Sequence, residues 1–408
     1  MSLYARLAWR NTFRNKRRTY ITGIAIAIGL AALIYIDALY LGMANNMIAA
    51  ATASFSGEGQ IHGRDFLLTQ DVNKVVSGAD RIMADLENEP AIKAFTPRTL
   101  SQGMVTSTNN VNPVLLVGVR PESERALSQM DDVIAEGDYF AGSDPQNIVI
   151  GRKLADLLEV GLGDRVVVTV SQAGSGQLSQ DLFRVSGIYR FASDDLDDGM
   201  AFVRIEKAQA LLGLGLGVNE IALSFKDSRV SQDETDPFWA KYGTGGNEAQ
   251  GWPKLFPALK SVYQMTTAAS LILGVLLFAV VSLGIINTLF MSIYERMFEL
   301  GVLRAVGTRP GGIRKLVILE AGSLALLSIV LGVALGLALS LIYSHTGLDY
   351  QGVEFAGVTI KELIYPVMTL KQYVFYPAGV LLFTLLVGCY PAAYAARMSV
   401  TGAMKRTL

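Results

Sequence analysis

The sequence predicts an α-helical membrane protein of four transmembrane helices, with an extracytoplasmic α/β domain inserted after the first. Three observations predict it. Apolar runs at 20–41, 262–293, 313–343 and 373–396 each supply the ~20 residues that cross a hydrocarbon core, in a chain of 408 residues of which only 17% are charged. Residues 42–261 instead alternate strand-like and helical runs with turn residues, as soluble domains do. Charge is divided unevenly: residues 1–18 hold six basic side chains and no acidic one, whereas 42–261 hold 29 acidic against 19 basic groups. The loop after the second run and the tail (Arg397, Lys405, Arg406) are basic too. The positive-inside rule then places both termini and that loop in the cytoplasm and the inserted domain outside.

In the basic N-terminal segment, 1–19, Arg6, Arg10 and Arg14 recur every fourth residue, with Trp9 and Phe13 beside them. Two readings stand: a short helix in the inner headgroup layer, or a solvated tail that sets topology. The run at 20–41 is too long for the 7 to 15 residue core of a signal peptide, despite the alanines near 49–53, and is kept as a span. It carries Gly23, Ala27 and Ala31 at four-residue spacing, a stripe that lets another helix approach closely. Asp37, near its outer end, reads as a hydrated interfacial acid rather than a buried functional one.

Within 42–261, strands are expected at 114–119, 147–150, 165–170, 183–189, 200–205 and 220–225, and helices at 80–86, 152–160 and 206–212. The chain has no G-x-x-x-x-G-K-[ST] loop, so it is not expected to hydrolyse ATP. Asp194, Asp195, Asp197 and Asp198 lack the spacing of a calcium loop and read as a solvated turn. His62 and His345 are isolated and suggest no zinc site. The single Cys389 excludes an intrachain disulfide, and no nucleic-acid partner is expected. Residues 243–260 read as a linker and a helical stalk, with Trp252, Phe256 and Tyr263 at the outer interface.

Between the second and third spans, 294–312 forms a short helix crowded with charge: Glu295, Arg296, Glu299, Arg304, Arg309. Ionised side chains at a helix centre cost roughly 2.5 to 3.5 kcal/mol on insertion, so this piece lies outside the bilayer core. Gly301, Gly307 and the run at 309–312 are expected to break it. The third span, 313–343, repeats small residues at Gly332, Gly336 and Ser340. A short outer loop, 344–372, leads to the last span, 373–396, and the tail, 397–408.

The stretch YERMFELGVLRAVGTRPGGIRKLVILE resembles the coupling segment of the ABC-transporter permeases grouped as MacB, FtsX and the lipoprotein-releasing LolC/LolE-like proteins. The resemblance rests on Glu295, Arg296, Glu299, Gly301, Arg304, Ala305, Gly307 and Glu320. VLLVGVRPESE, IVIGRKLADLLEVGLGDRVVVTV and LFRVSGIYRF resemble the MacB-like periplasmic core domain of the same family. LAWRNTFRNKRRTYITGIAIAIG is similar to its retained first helix. Pro391, Ala395, Ala403, Met404 and Lys405 follow its closing pattern, with Val400 where the family has proline.

The resemblance implies a permease subunit of the bacterial inner membrane, without a cofactor of its own. It implies that Glu295, Arg296, Glu299, Gly301, Arg304 and Gly307 couple to an ABC ATPase present in two copies, which binds the ATP and Mg. A second permease subunit, as homodimer or heterodimer, membrane lipids and a periplasmic carrier or adaptor complete the implied partners. The function implied is the coupling of ATP hydrolysis to periplasmic work, first the extraction of lipoproteins or other lipidated cargo. The alternative is mechanotransmission to an efflux tunnel or a cell-wall hydrolase. The loop at 171–180, SQAGSGQLSQ, is shorter than the carrier-gripping hook of one lipoprotein-releasing permease and has neither Pro nor aromatic anchors. It fits the non-hook partner or a member serving another system. A sensor is disfavoured, because the cytoplasmic parts are too short for an output module.

Overall fold

The computed structural model describes residues 3–140, 142, 144–191, 194–350, 354–355, 358–359 and 363–397. The tail residues Val400, Ala403, Met404, Lys405 and Arg406 and most of the loop at 351–362 lie outside them. Helices α1 (Leu3–Thr12) and α2 (Lys16–Ala51) open the chain, and one π turn (Thr52–Ser56) follows. Next come β1 (Gly59–Gly63), α3 (Phe66–Thr69), α4 (Ala79–Leu86), β2 (Ile92–Thr106), β3 (Val111–Val119), α5 (Pro121–Leu127) and β4 (Ile134–Gly137). These lead to β5 (Asn147–Gly151), α6 (Arg152–Leu158), β6 (Arg165–Ser171), β7 (Leu178–Tyr189), α7 (Asp194–Gly199), β8 (Met200–Arg204), α8 (Ile205–Leu212) and β9 (Glu220–Phe225). The inserted part closes with α9 (Ser228–Gln232), α10 (Pro237–Tyr242), β10 (Asn247–Gly251) and α11 (Trp252–Leu255). The chain returns through α12 (Pro257–Glu295), α13 (Met297–Ala305), α14 (Pro310–Thr346), the ribbon β11 (Glu354–Phe355) and β12 (Val358–Thr359), and α15 (Leu370–Arg397).

The described residues fall into two compact units, a helical one within 1–45, 263–350 and 362–408 and a sheet one within 46–262 and 351–361. In the helical unit, α2, α12, α14 and α15 are long and apolar enough to cross a membrane. At 36 residues and 1.5 Å per residue, α2 spans about 54 Å, well beyond a ~30 Å hydrocarbon core. It begins four residues before the expected span and ends ten after it. Ile26, Leu30 and Ile34 of α2 pack with Ile285 and Leu289 of α12, Ala321 of α14 and Val380 of α15. The small-residue stripes of the first and third apolar helices meet: a Cβ on Gly332 would lie 2.9 Å from the Ala27 carbonyl oxygen, one on Gly336 3.3 Å from Ala31 Cα, and one on Gly23 3.4 Å from Ser328 Oγ. Such close backbone approach is what small residues permit. Asp37 is half-buried, and its Oδ2 accepts a hydrogen bond from Gln372 Nε2, itself buried, at 2.9 Å. The acid ties α2 to α15.

In the sheet unit, β2, β3, β8, β5, β7 and β6 pair in a closed ring, since β6 bridges β7 and β2. Val105, Leu116, Ile150, Val168, Phe183 and Val203 belong to one buried apolar cluster of this ring. The other half of β2 pairs with β9, and β1 and β10 extend the sheet beyond it. The six expected strands coincide with parts of β3 and β5 to β9; β2, the longest, was not anticipated. Two expectations fail here. The supposed linker holds β10, hydrogen-bonded to β1, and Trp252 is buried in the sheet unit rather than placed at an interface. The acidic run is no solvated turn but helix α7, in which Asp197 is buried and accepts from the Phe191 N–H, while Asp198 pairs with Lys153 at 2.9 Å. The side chains of Asp194 and Asp195 lie outside the described set.

Candidate coupling site

The breaks that isolate α13 have separate causes. At Arg296 the backbone leaves helical geometry, at φ −112° and ψ 16°, between α12 and α13. At the far end Gly307 adopts φ +104°, a conformation that favours glycine. Pro310 then opens α14 as its first helical residue, where its missing N–H costs nothing. Gly301 does not break the helix as expected. It lies buried within it, beside Met297 and Leu300, because that face packs on the core. Leu300 joins Ala8, Ile293, Ile313, Leu316 and Ala395 in one apolar cluster.

Four charged side chains of this segment, Glu295, Arg296, Glu299 and Arg304, turn onto the chain itself. Arg14 Nη1 donates to Glu299 Oε1 at 2.5 Å and Arg18 Nη1 to Glu295 Oε2 at 2.8 Å. Arg296 Nη1 donates to Glu320 Oε2 at 2.9 Å and its Nε reaches Glu299 Oε2 at 3.4 Å. Ser292 Oγ donates to the other Glu320 oxygen at 3.0 Å, so this nearly buried carboxylate is partnered on both sides. Arg304 Nη1 donates to the Ala396 carbonyl at 2.9 Å, at the end of α15 where a helix dipole favours a cation. The Arg14 hydrogen bond, with help from Arg296, holds the Glu299 carboxyl below the usual glutamate range.

What α13 offers outward is apolar. Phe298, Val302 and Val306 are 47%, 37% and 84% exposed, and their spacing puts them on one face of a helix. None was singled out from sequence, nor were Arg14 and Arg18 as partners of the two glutamates. The i, i+4, i+8 repeat was the available signal; an apolar residue in a charged segment reads first as core.

In the sheet unit, the β6–β7 hairpin ends in a polar turn whose Gly174 N–H is held by Asn73 Oδ1 at 2.6 Å. Elsewhere in that unit Arg98, fully buried, donates to Glu124 and Glu220. Among the described residues no group of His, Cys, Asp or Glu side chains is arranged to hold a metal ion.

Residues 19–235 match the family described as MacB-like periplasmic core domain, and residues 271–400 match FtsX-like permease C-terminal. The lipoprotein-releasing system transmembrane protein LolC of Xylella fastidiosa is 23% identical over 292 residues, covering 68% of this chain and 69% of that protein. The macrolide export ATP-binding/permease protein MacB of Neisseria meningitidis is 24% identical over 375 residues, 85% of this chain and 54% of that protein. Among solved structures, the periplasmic region of MacB from Actinobacillus actinomycetemcomitans aligns with 50% of this chain and 94% of its own, at 12% identity and a TM-score of 0.35.

Proposed function

The chain belongs to the ABC-transporter permease family of the MacB, FtsX and LolC type, and from that premise we propose that it is the membrane subunit on which a separate ATPase docks at α13. The observation that carries this reading is the exposed apolar row Phe298, Val302 and Val306 on a short helix whose charges are engaged within the chain. A row of that kind suits a groove in a partner. Glu295, Arg296, Glu299, Gly301, Arg304 and Gly307 then shape and orient the helix, and the row makes the contact. ATP and Mg sit on the ATPase pair. The four apolar helices span the bacterial inner membrane with both termini inside, beside a second permease subunit.

The work done outside is, on this reading, extraction of a lipidated cargo. Each acyl CH₂ moved from bilayer to water costs about 0.8 kcal/mol, on the order of 12 kcal/mol for a sixteen-carbon chain. Coupling to ATP and a shielded apolar path are therefore both required. Exposed Ile21, Ile24 and Ile28 on α2 and Leu271 and Val275 on α12 are available to line one at a subunit interface. Similarity to LolC proteins supports this choice. The short, tied-down hairpin turn favours the second reading, mechanotransmission without a hook-held carrier.

Val302→Asp together with Val306→Asp is expected to abolish co-purification of the ATPase while leaving the chain in the membrane. Unchanged ATPase stoichiometry would refute the docking assignment. Mass spectrometry of the gently purified complex separates the two readings. An ATPase with triacylated lipoprotein supports extraction, whereas an ATPase with a hydrolase, adaptor or tunnel and no lipidated cargo supports transmission.

A further inference from the structure

The N-terminal basic run divides into two sets of cations. Arg14 and Arg18 are engaged by Glu299 and Glu295. Arg6, Arg10, Lys16 and Arg17 are exposed and meet no carboxylate among the described residues. Helix α1 is held in place by the opposite side: Ala8 and Thr12 are buried, and Ala8 packs with Ile313, Leu316 and Val317 of α14. At 100° per residue, the direction away from Ala8 and Thr12 falls on Arg10 and Arg6, flanked by Leu7 and Trp9. Leu7 is 37% and Trp9 42% exposed, with the Phe13 ring edge-on to Trp9 at 5.3 Å between centroids. Four residues after α1 ends, α2 begins.

A fixed helix that presents two arginines between a leucine and a tryptophan, next to the start of an apolar helix, has the chemistry of the headgroup layer. Glu295 and Glu299 are already engaged by Arg18 and Arg14, and no other carboxylate among the described residues pairs with Arg6, Arg10, Lys16 or Arg17, so an external anion is the natural counter-charge for these four. We infer that the outward face of α1, with Lys16 and Arg17, is a binding surface for anionic phospholipid headgroups and selects them over zwitterionic ones. The occupant is lipid rather than nucleic acid or an acidic protein, because an apolar Leu7 and an aromatic Trp9 flank the cations on either side. The inference rests on the membrane reading above but not on ATPase docking.

The test uses the full chain in lipid nanodiscs. Trp9 emission is isolated as the difference between the wild-type chain and Trp9→Phe; the other tryptophans, Trp239 and Trp252, are buried in the sheet unit. Quenching is compared for brominated phosphatidylglycerol and brominated phosphatidylcholine, each at the same mole fraction in otherwise identical mixtures. A juxtamembrane cation enriches anionic lipid about fivefold, so the anionic quencher should be about fivefold more effective. That excess should vanish in R6Q/R10Q/K16Q/R17Q and shrink in high salt for the wild-type chain. Equal quenching by the two lipids overturns the selectivity, and no quenching by either overturns the placement of α1 at the headgroups. Loss of ATPase co-purification alone would leave either result standing.

Discussion

Arg98 in the sheet unit and Arg296 beside α13 have the same task, each bridging two glutamates, but in different surroundings. Arg98 is sealed. Its Nε and Nη2 hold both oxygens of Glu124 at 2.9 and 2.6 Å, its Nη1 holds Glu220 at 2.8 Å, and Nη2 also donates to the Phe55 carbonyl at 2.6 Å. The Phe55 ring lies 3.8 Å from the guanidinium carbon. Burial pushes the Glu220 carboxyl up, and Arg98 pulls it back. Arg296, itself only 12% exposed, belongs to a network open to water at one end. It holds buried Glu320, but its second partner, Glu299, is 43% exposed and shared with Arg14. Desolvated charges that have lost access to water can leave their partners only at high cost, whereas a shared, wet carboxylate can change partners cheaply. The first network fixes a scaffold; the second suits a part that moves.

The largest effect expected is from Arg98→Met. It strands two buried carboxylates and should cost the sheet unit about 3–5 kcal/mol, read in the full chain from the denaturation of Trp239 and Trp252 fluorescence. Arg296→Met should cost clearly less. Equal losses would break the comparison, since they would make the coupling network as rigid as the buried one. Replacing Arg98, Glu124 and Glu220 together by apolar residues should recover most of the loss.

His62 sharpens the same contrast from within the sheet unit. The ring is fully buried on β1, its Nε2 2.9 Å from Gln60 Oε1, and its Nδ1 has no partner among the described residues. Burial lowers its pKa to about 4. The fold therefore keeps the ring neutral, while the unfolded chain takes up a proton near pH 6.5. Stability from this group is complete above pH 6.5 and falls as pH drops toward about 4, by on the order of 3 kcal/mol. His62→Gln should flatten that part of the pH profile relative to the wild-type chain; an unchanged slope would assign it to other groups.

The legible parts of this chain are those where composition and location coincide. Runs such as Val262 onward in α12 can only be apolar helix, and Arg165–Ser171 and Phe183 onward alternate as half-buried strands do. Strand β2 is hidden because its fifteen residues, with Pro97 and Gly103 inside them, serve β9 and then β6 in succession while also pairing with β3, and follow no single alternation. β1 and β10 were hidden by their glycines and polar residues, whose place is set by pairing with each other. At the coupling site the charges were legible and their direction was not. Glu299 and Glu295 could face a partner protein or Arg14 and Arg18, which lie some 280 residues away in the chain. Only tertiary structure decides between those.

The smallest change in stability belongs to the Arg14–Glu299 pair, which also tests the comparison most directly. Both side chains are exposed enough for solvent screening, so reversal of either, Arg14→Glu or Glu299→Arg, should alter stability by no more than about 1 kcal/mol. Because the folded carboxyl of Glu299 lies below its ordinary range, the pair's contribution is present above that range and is lost as pH falls through the depressed value. Coupled turnover is a different matter. Each reversal puts like charges against each other where α13 meets the N-terminal basic run, and so favours a displaced helix whatever the ATPase does. On the proposed coupling role, periplasmic work per ATP, read as cargo release or as activation of the periplasmic partner, should therefore drop several-fold in either single variant and return in the double reversal. Failure of the double variant to recover, with the ATPase still bound, would mean that Glu299 acts on the partner rather than on Arg14.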